Sequence, residues 1–290
     1  MWSIGVRDQT RGVNLARTIA LAVTAAVASG TVVGALDAIG PSGAAVDAPA
    51  TRDVAFSTEA DCDLDTVAGL ATRHPEVRQF VVMATDDFDD VAGTVEVAVR
   101  TAGGEWQCRL EAQPAMFGRS GTRPLIDRRS GDGTTPAGVF PLGEVTAWDG
   151  QTFSMFGNRP DPGALAPYRS VRPEDCWGAT PNTSRYQHVI ASYGCSGPDE
   201  WLQNYGEAYS HAAVIGANLD PISGDEPGET PHAAAIFLHR TSYTSAGAGK
   251  PTSGCVSLGQ DDLVDTIRTI DPALTPHFAI GPRTWLRDSA

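Results

Sequence analysis

The chain has 290 residues, 41% of them hydrophobic and 19% charged, with 31 glycines and 20 prolines. Glycine keeps no fixed period and aliphatic runs recur throughout, which excludes a collagen-like or wholly disordered polymer. Lys and Arg total 21 against 35 Asp and Glu, and the resulting net charge of -14 repels phosphate backbones and argues against a nucleic-acid partner.

Three basic residues, Arg7, Arg11 and Arg17, precede an uncharged run rich in Ala and Val from Thr18 to Leu36, which Asp37 ends. A basic head, an apolar middle and small-residue sites such as Ala45-Val46-Asp47-Ala48 predict an export signal. The run is nearly long enough to span a membrane, so an uncleaved anchor is the alternative. Either one makes the working domain extracytoplasmic, secreted or held in the cell envelope. The predicted organisation is a signal or anchor over 1–48, a linker and short N-terminal segment over 49–74, and one domain over 75–284.

Export changes what the cysteines mean. Of Cys62, Cys108, Cys176, Cys195 and Cys255, four can pair in an oxidising compartment and one is left over. Connectivity is not fixed by sequence, but proximity favours Cys62 with Cys108 and Cys176 with Cys195. Cys255 is then the odd thiol, a liability in an exported protein unless it does chemistry.

In chain order, 61–73 reads as a short helix before His74-Pro75, and a strand-like pattern begins at Gln79. Val95, Val97 and Val99 alternate with Thr94, Glu96 and Ala98; after Gly103-Gly104, Trp106, Cys108 and Leu110 repeat the period. The two runs predict a hairpin of half-buried strands over 94–111. Further strands are predicted within 137–146, 187–193, 211–217, 234–240 and 254–258. Only 261–270 carries a helical stripe, Leu263, Ile267 and Ile270, with Asp261 and Asp262 at the positive end of its dipole,. The fold class is mainly β, with few short helices.

Alternation sorts side chains by face. In 234–240, Ala235, Phe237 and His239 share one face; in 254–258, Cys255 and Ser257 share the face opposite Val256 and Leu258. Two such strands side by side would bring imidazole and thiol together, the ring priming the sulfur as thiolate. Gly254 would let a substrate carbonyl approach the backbone, where the N–H groups of Gly254 and Cys255 could hold an oxyanion. Singly, each residue has a plainer explanation: a buried inert thiol, and a hydrogen-bonded core histidine.

The strings IFLHR at 236–240 and PTSGCVSL at 251–258 together resemble the L,D-transpeptidase (YkuD-type) catalytic domain. GRSGT at 118–122, GDGTTPAGVFPL at 131–142, DCWGATPNTSRYQHV at 175–189 and VIGAN at 214–218 are similar to further ordered elements of that family, so the resemblance covers about 79–282. It implies a YkuD-like β-sandwich or mixed sheet. It also implies acyl transfer on peptidoglycan stem peptides: Cys255 attacks the carbonyl joining an L-centre to D-Ala, releases D-Ala, and hands its thioester to an acceptor amine. His239 is then base and acid, Arg240 orients it through the backbone carbonyl, and Gly254 belongs to the catalytic strand. Ser253, Asn218, Phe237 and Tyr193 are the candidate substrate contacts, although Tyr193 and Trp177 also read as core or loop anchors. Ser253 before Gly254 and Ser257 after the cysteine depart from the His and Arg of many members, and Arg240 stands where the family often has a small or hydrophobic residue. These departures keep open stem trimming by water as an L,D-carboxypeptidase, or a wall-binding module without activity. A papain-like wall endopeptidase is disfavoured, because there the cysteine precedes the histidine. The protein is expected to be a monomer.

No metal or organic cofactor is required, and none of the histidines forms an H-E-x-x-H pair,. DCDLDT at 61–66 lacks the glycine of a calcium loop, and GAGKPT at 247–252 has Pro251 where a phosphate loop needs Ser or Thr,. Arg119, Arg123, Arg128 and Arg129 form a basic patch that reads as solvent-exposed charge, with contact to acidic stem carboxylates as the alternative.

Overall fold

The computed structural model describes residues 62–195, 197–219 and 230–290; the predicted signal and the linker behind it lie outside the described residues. Helix α1 (Leu64–Arg73) starts at Asp63, whose carboxylate accepts from the Thr66 N–H at 3.1 Å and from its hydroxyl at 2.8 Å, the usual N-cap arrangement. Its Thr66, Val67 and Leu70 face is buried, Val67 and Leu70 packing with Phe80, Val82, Ala98 and Leu286. A disulfide joins Cys62 to Cys108, so this helix packs as part of the same body as the sheet. Among the described residues no helix is long and apolar enough to cross a membrane.

Strands β1 (Gln79–Thr85), β2 (Ala92–Arg100) and β3 (Trp106–Met116) form an antiparallel meander. The predicted hairpin is its second half. Strict alternation fails at Glu96, which is buried and accepts the Asp63 N–H at 3.0 Å. The ladder is irregular there, and α1 closes over the face that a half-buried hairpin would leave wet.

β4 (Thr122–Pro124) and β5 (Thr135–Pro141) come next, then the small pair β6 (Val145–Thr146) and β7 (Thr152–Phe153). The predicted 137–146 strand is therefore broken, between Pro141 and Val145. β8 (Met155–Gly157) and β9 (Tyr168–Ser170) lead into a separate three-stranded sheet of β10 (Asp175–Trp177), β11 (Val189–Ala191) and β12 (Glu200–Trp201). β13 (Ala212–Val214), β14 (Phe237–Arg240) and β15 (Val256–Leu258) return to the main sheet. Helix α2 (Gln260–Thr269), β16 (Pro276–Pro282) and α3 (Arg283–Asp288) finish the chain.

Among the described residues the main sheet has eleven strands in the order β4-β5-β16-β1-β2-β3-β15-β14-β13-β8-β9, parallel and antiparallel pairs mixed. β16 pairs in parallel with β1 from nearly 200 positions away in sequence, and prolines at both its ends together with Gly281 hide it from a strand pattern. The architecture is mainly β, a large mixed sheet with few short helices.

Both faces of the sheet around β14 and β15 are covered. Leu238, Val256 and Leu258 pack on Leu263 and Ile267 of α2. Phe237 packs on the other side with Phe156, Trp177 and Tyr209, its ring edge-on to Trp177 at 4.7 Å between centroids. Gln187 anchors the approach to β14: its Oε1 accepts from Trp177 Nε1 at 2.9 Å and from the Ala235 N–H at 3.2 Å, while its Nε2 reaches the carbonyls of Asn218 and Ala233. Ala235 has φ of 53°, which ends the extended run, so the strand begins at Phe237 and not at 234.

Gln187→Ala strips partners from a buried indole N–H and a buried backbone N–H. The expected loss is about 3 kcal/mol of unfolding free energy, read as a lowered urea midpoint with an unchanged slope.

Candidate active site

β14 and β15 run parallel and adjacent, with Leu238 opposite Val256, His239 opposite Ser257 and Arg240 opposite Leu258. Cys255 stands one residue before this ladder. His239 and Cys255 thus share a face but are offset along it by two positions. The two disulfides Cys62–Cys108 and Cys176–Cys195 are formed, and Cys255 is the free thiol.

The sulfur sits over the start of β14. Phe237 N–H points at Sγ from 3.4 Å, and Sγ lies 3.5 Å from the Ala235 carbonyl. Two threonines fix the backbone behind it: the Cys255 carbonyl accepts from Thr252 Oγ1 at 2.6 Å and from Thr135 Oγ1 at 3.2 Å. Gly254 has φ of 151°, and a Cβ there would stand 3.1 Å from the Thr134 carbonyl oxygen, so this position both needs glycine's backbone freedom and has little room for a side chain. The Gly254 N–H donates to Thr252 Oγ1 at 3.1 Å and is not available to an oxyanion. The Cys255 N–H has no hydrogen-bond partner among the described residues and remains a candidate donor.

His239 Nδ1 lies 2.8 Å from the Arg240 carbonyl oxygen. A carbonyl only accepts, so Nδ1 carries the proton and Nε2 is left as a base. The Arg240 side chain turns elsewhere, its Nη1 paired with Glu207, which also holds Arg159. Arg240 therefore contributes a carbonyl, not a charge.

Two cavities meet at the sulfur. The larger, about 570 Å³, is walled by Arg128, Ala179–Asn182, Pro231 and Ala234–Ile236. The smaller, about 240 Å³, is lined by Tyr205, Tyr209, His239, Lys250, Thr252 and Ser257 among others. Ser253, Cys255 and Glu200 belong to both. Cys176–Cys195 and Asp199, which accepts from the N–H groups of Ala179 and Thr180 at 2.9 and 2.8 Å, hold the outer wall of the larger one.

The electrostatics run against a primed thiolate. Burial, then the Glu200 carboxylate, pushes the Cys255 thiol up to about 12, and the Phe237 N–H and Arg128 offset this only in part. Burial likewise holds His239 down to about 4. No hydrogen bond joins Sγ to the ring among the described residues. Both shifts favour a neutral thiol beside a neutral imidazole at rest, because burial penalises the charged form of each.

Of the candidate substrate contacts, Ser253 is exposed at the junction of the cavities. The other three line neither cavity. Phe237 is buried under the sulfur in the aromatic core. Asn218 is buried with φ of 57°, its Nδ2 bonded to Tyr186 Oη at 2.9 Å and to the Ala233 carbonyl at 3.0 Å; Tyr193 is 75% exposed. Arg128 leaves the predicted exposed patch altogether. It is 2% exposed and donates to Thr134 and to the His232 carbonyl. Sequence reasoning missed Glu200, and nothing in the flanking residues marks it. Thr135 lies in the GDGTTPAGVFPL string and Thr252 in PTSGCVSL, where their hydroxyls are the available signal. Among the described residues no cluster of His, Cys, Asp or Glu is arranged to hold a metal ion.

A family model of the L,D-transpeptidase catalytic domain, YkuD, matches residues 102–278. The chain belongs to that family. No curated protein and no solved structure matches it. Members of the family act on peptidoglycan stem peptides and are typically extracytoplasmic, a setting that the two disulfides fit.

Because both groups rest neutral, iodoacetamide labelling of Cys255 is expected to have a pH midpoint above that of an ordinary thiol, about 8.5. The rate of acylation, which needs unprotonated His239, should stay level from about pH 8 down to about pH 5 and fall only as pH approaches the depressed ring value, about 4,. A midpoint below the ordinary thiol value, or an acid limb near 6.5, would contradict the neutral pair.

Proposed function

We propose that the protein is a peptidoglycan L,D-transpeptidase working through a Cys255 thioester. The observation that carries this reading is a single free sulfur at the junction of two cavities, with a histidine whose basic nitrogen is left unprotonated. One cavity takes the donor stem and the other gives the acceptor amine a way to the same carbonyl carbon.

In this reading the donor lies in the larger cavity with its L-centre-to-D-Ala carbonyl over Sγ. As sulfur attacks, the thiol proton passes to His239 Nε2, so the thiolate exists only in the transition state. This suits a site in which a standing thiolate is costly. The Cys255 N–H serves the oxyanion, and the imidazolium returns its proton to the departing D-Ala nitrogen. An acceptor amine then attacks the thioester; water in its place would make the enzyme a carboxypeptidase.

Two features support selection for an amine. The smaller cavity is large enough for a side chain and is partly enclosed, and a carboxylate stands beside the thioester position. The departures at 253 and 257 fit as well. Ser253 is a small exposed residue where the cavities join, and Ser257 is fully buried, 3.1 Å from Thr241 Oγ1, so no charge is required at that position.

Intact mass after exposure of the full chain to a carbapenem is expected to rise by one acyl adduct, absent in Cys255→Ala. His239→Gln should slow the acylation by about 10²- to 10⁴-fold. An unmodified mass, or an adduct that survives Cys255→Ala, would refute the nucleophile.

A further inference from the structure

Glu200, at the start of β12, is left unused by the acylation chemistry. It is half-buried at the junction of the two cavities. Its Oε2 accepts from the Tyr209 hydroxyl at 2.7 Å. Its Oε1 has no hydrogen-bond donor among the described residues, and it is not one of the atoms shut away from the surface without a partner. Among the described residues no cation pairs with it: Lys250 is exposed on the rim of the smaller cavity without an ion pair to it, and Arg128 is committed to Thr134 and His232. Tyr205, Tyr209, His239 and Cys255 are the other titratable groups around the smaller cavity.

This is an unfavourable place for a lone carboxylate. Burial pushes Glu200 up to about 7, and its charge works against ionisation of the neighbouring thiol. An alkylammonium in the smaller cavity would remove both penalties at once, by pairing with Oε1 and cancelling the like charge beside sulfur. We propose that Glu200 is the acceptor-side catalytic residue, its carboxylate holding the ammonium group of the incoming amine and taking a proton from it. The inference rests on the transpeptidase reading above.

The step balances without a co-reactant. The bound ammonium gives one proton to Glu200 and attacks as a neutral amine; the amide C–N bond forms and the C–S bond breaks. A second amine proton passes by way of His239 to the departing sulfur, restoring the thiol. Glu200 then releases its proton to solvent, one for each cross-link.

The test uses the full chain and Glu200→Gln, which keeps an acceptor for Tyr209. In the first arm, iodoacetamide labelling of Cys255 is followed against pH with and without saturating ethylammonium chloride. Ethylammonium should lower the midpoint of the native protein, while Glu200→Gln should start lower and not respond. Glu200→Asp, which keeps the charge, should retain the response and controls for misfolding. In the second arm, a tetrapeptide donor is partitioned between water and an amine. At pH 7 the ratio of amide to acid should fall about tenfold in Glu200→Gln with an ammonium acceptor and stay unchanged with hydroxylamine, which is neutral there. The proposal is overturned if Glu200→Gln keeps the ethylammonium response, if both nucleophiles lose equally, or if only D-Ala release suffers. Should the native protein answer ethylammonium but never release D-Ala, the ammonium seat stands and the transpeptidase reading falls.

Discussion

Everything at the site depends on one pairing, the parallel alignment of β14 with β15 inside a sheet buried on both faces. It puts His239 and Cys255 on the same side, two positions out of step, and it gives the sulfur a floor made of the Phe237 ring and backbone. The same packing half-buries both groups at the cavity floor. A thiol and an imidazole so placed are held uncharged, and the site is built to move a proton during attack, not to store a thiolate.

That enclosure has to be built by parts of the chain far from the catalytic strands. Trp177 and Gln187 come from the small sheet and its loops, the threonines that grip the Cys255 carbonyl from β5 and the 251–254 turn, and Tyr209 from the segment before β13. Most donors and acceptors near the sulfur have a named partner, as buried polar groups require. Among the described residues the Cys255 N–H, the basic Nε2 of His239 and one oxygen of Glu200 have none and are left for the reaction. A developing oxyanion and an incoming ammonium have the matching charges.

The elements that sequence exposes are the ones with short-range causes. The valine alternation of β2, the turn at Gly103-Gly104, the Asp-led stripe of α2 and the helix before His74 each express a local period or a cap. The predicted faces of 237–239 and 255–257 agree with the sheet because alternation survives wherever the backbone is extended. It stops at Ala235, whose left-handed backbone is imposed by the hydrogen bonds around Gln187, a cause lying 48 residues away. Likewise Glu96 faces inward because α1 covers it, and Arg128 is buried because carbonyls from Thr134 and His232 close around its guanidinium. A run of charges carries no mark of which member will be enclosed.

By itself the sequence determined the odd cysteine, the two strands that carry the nucleophile and the base, and the family whose ordered motifs they belong to, because residue type and two-residue spacing travel with the chain. Only the tertiary structure decided that the thiol and ring rest neutral, that the Gly254 N–H is already spent, that Phe237 and Asn218 support the site without touching its cavities, and that Glu200 stands at their junction. Those properties are set by desolvation and by distances between segments far apart in sequence, which no local pattern encodes.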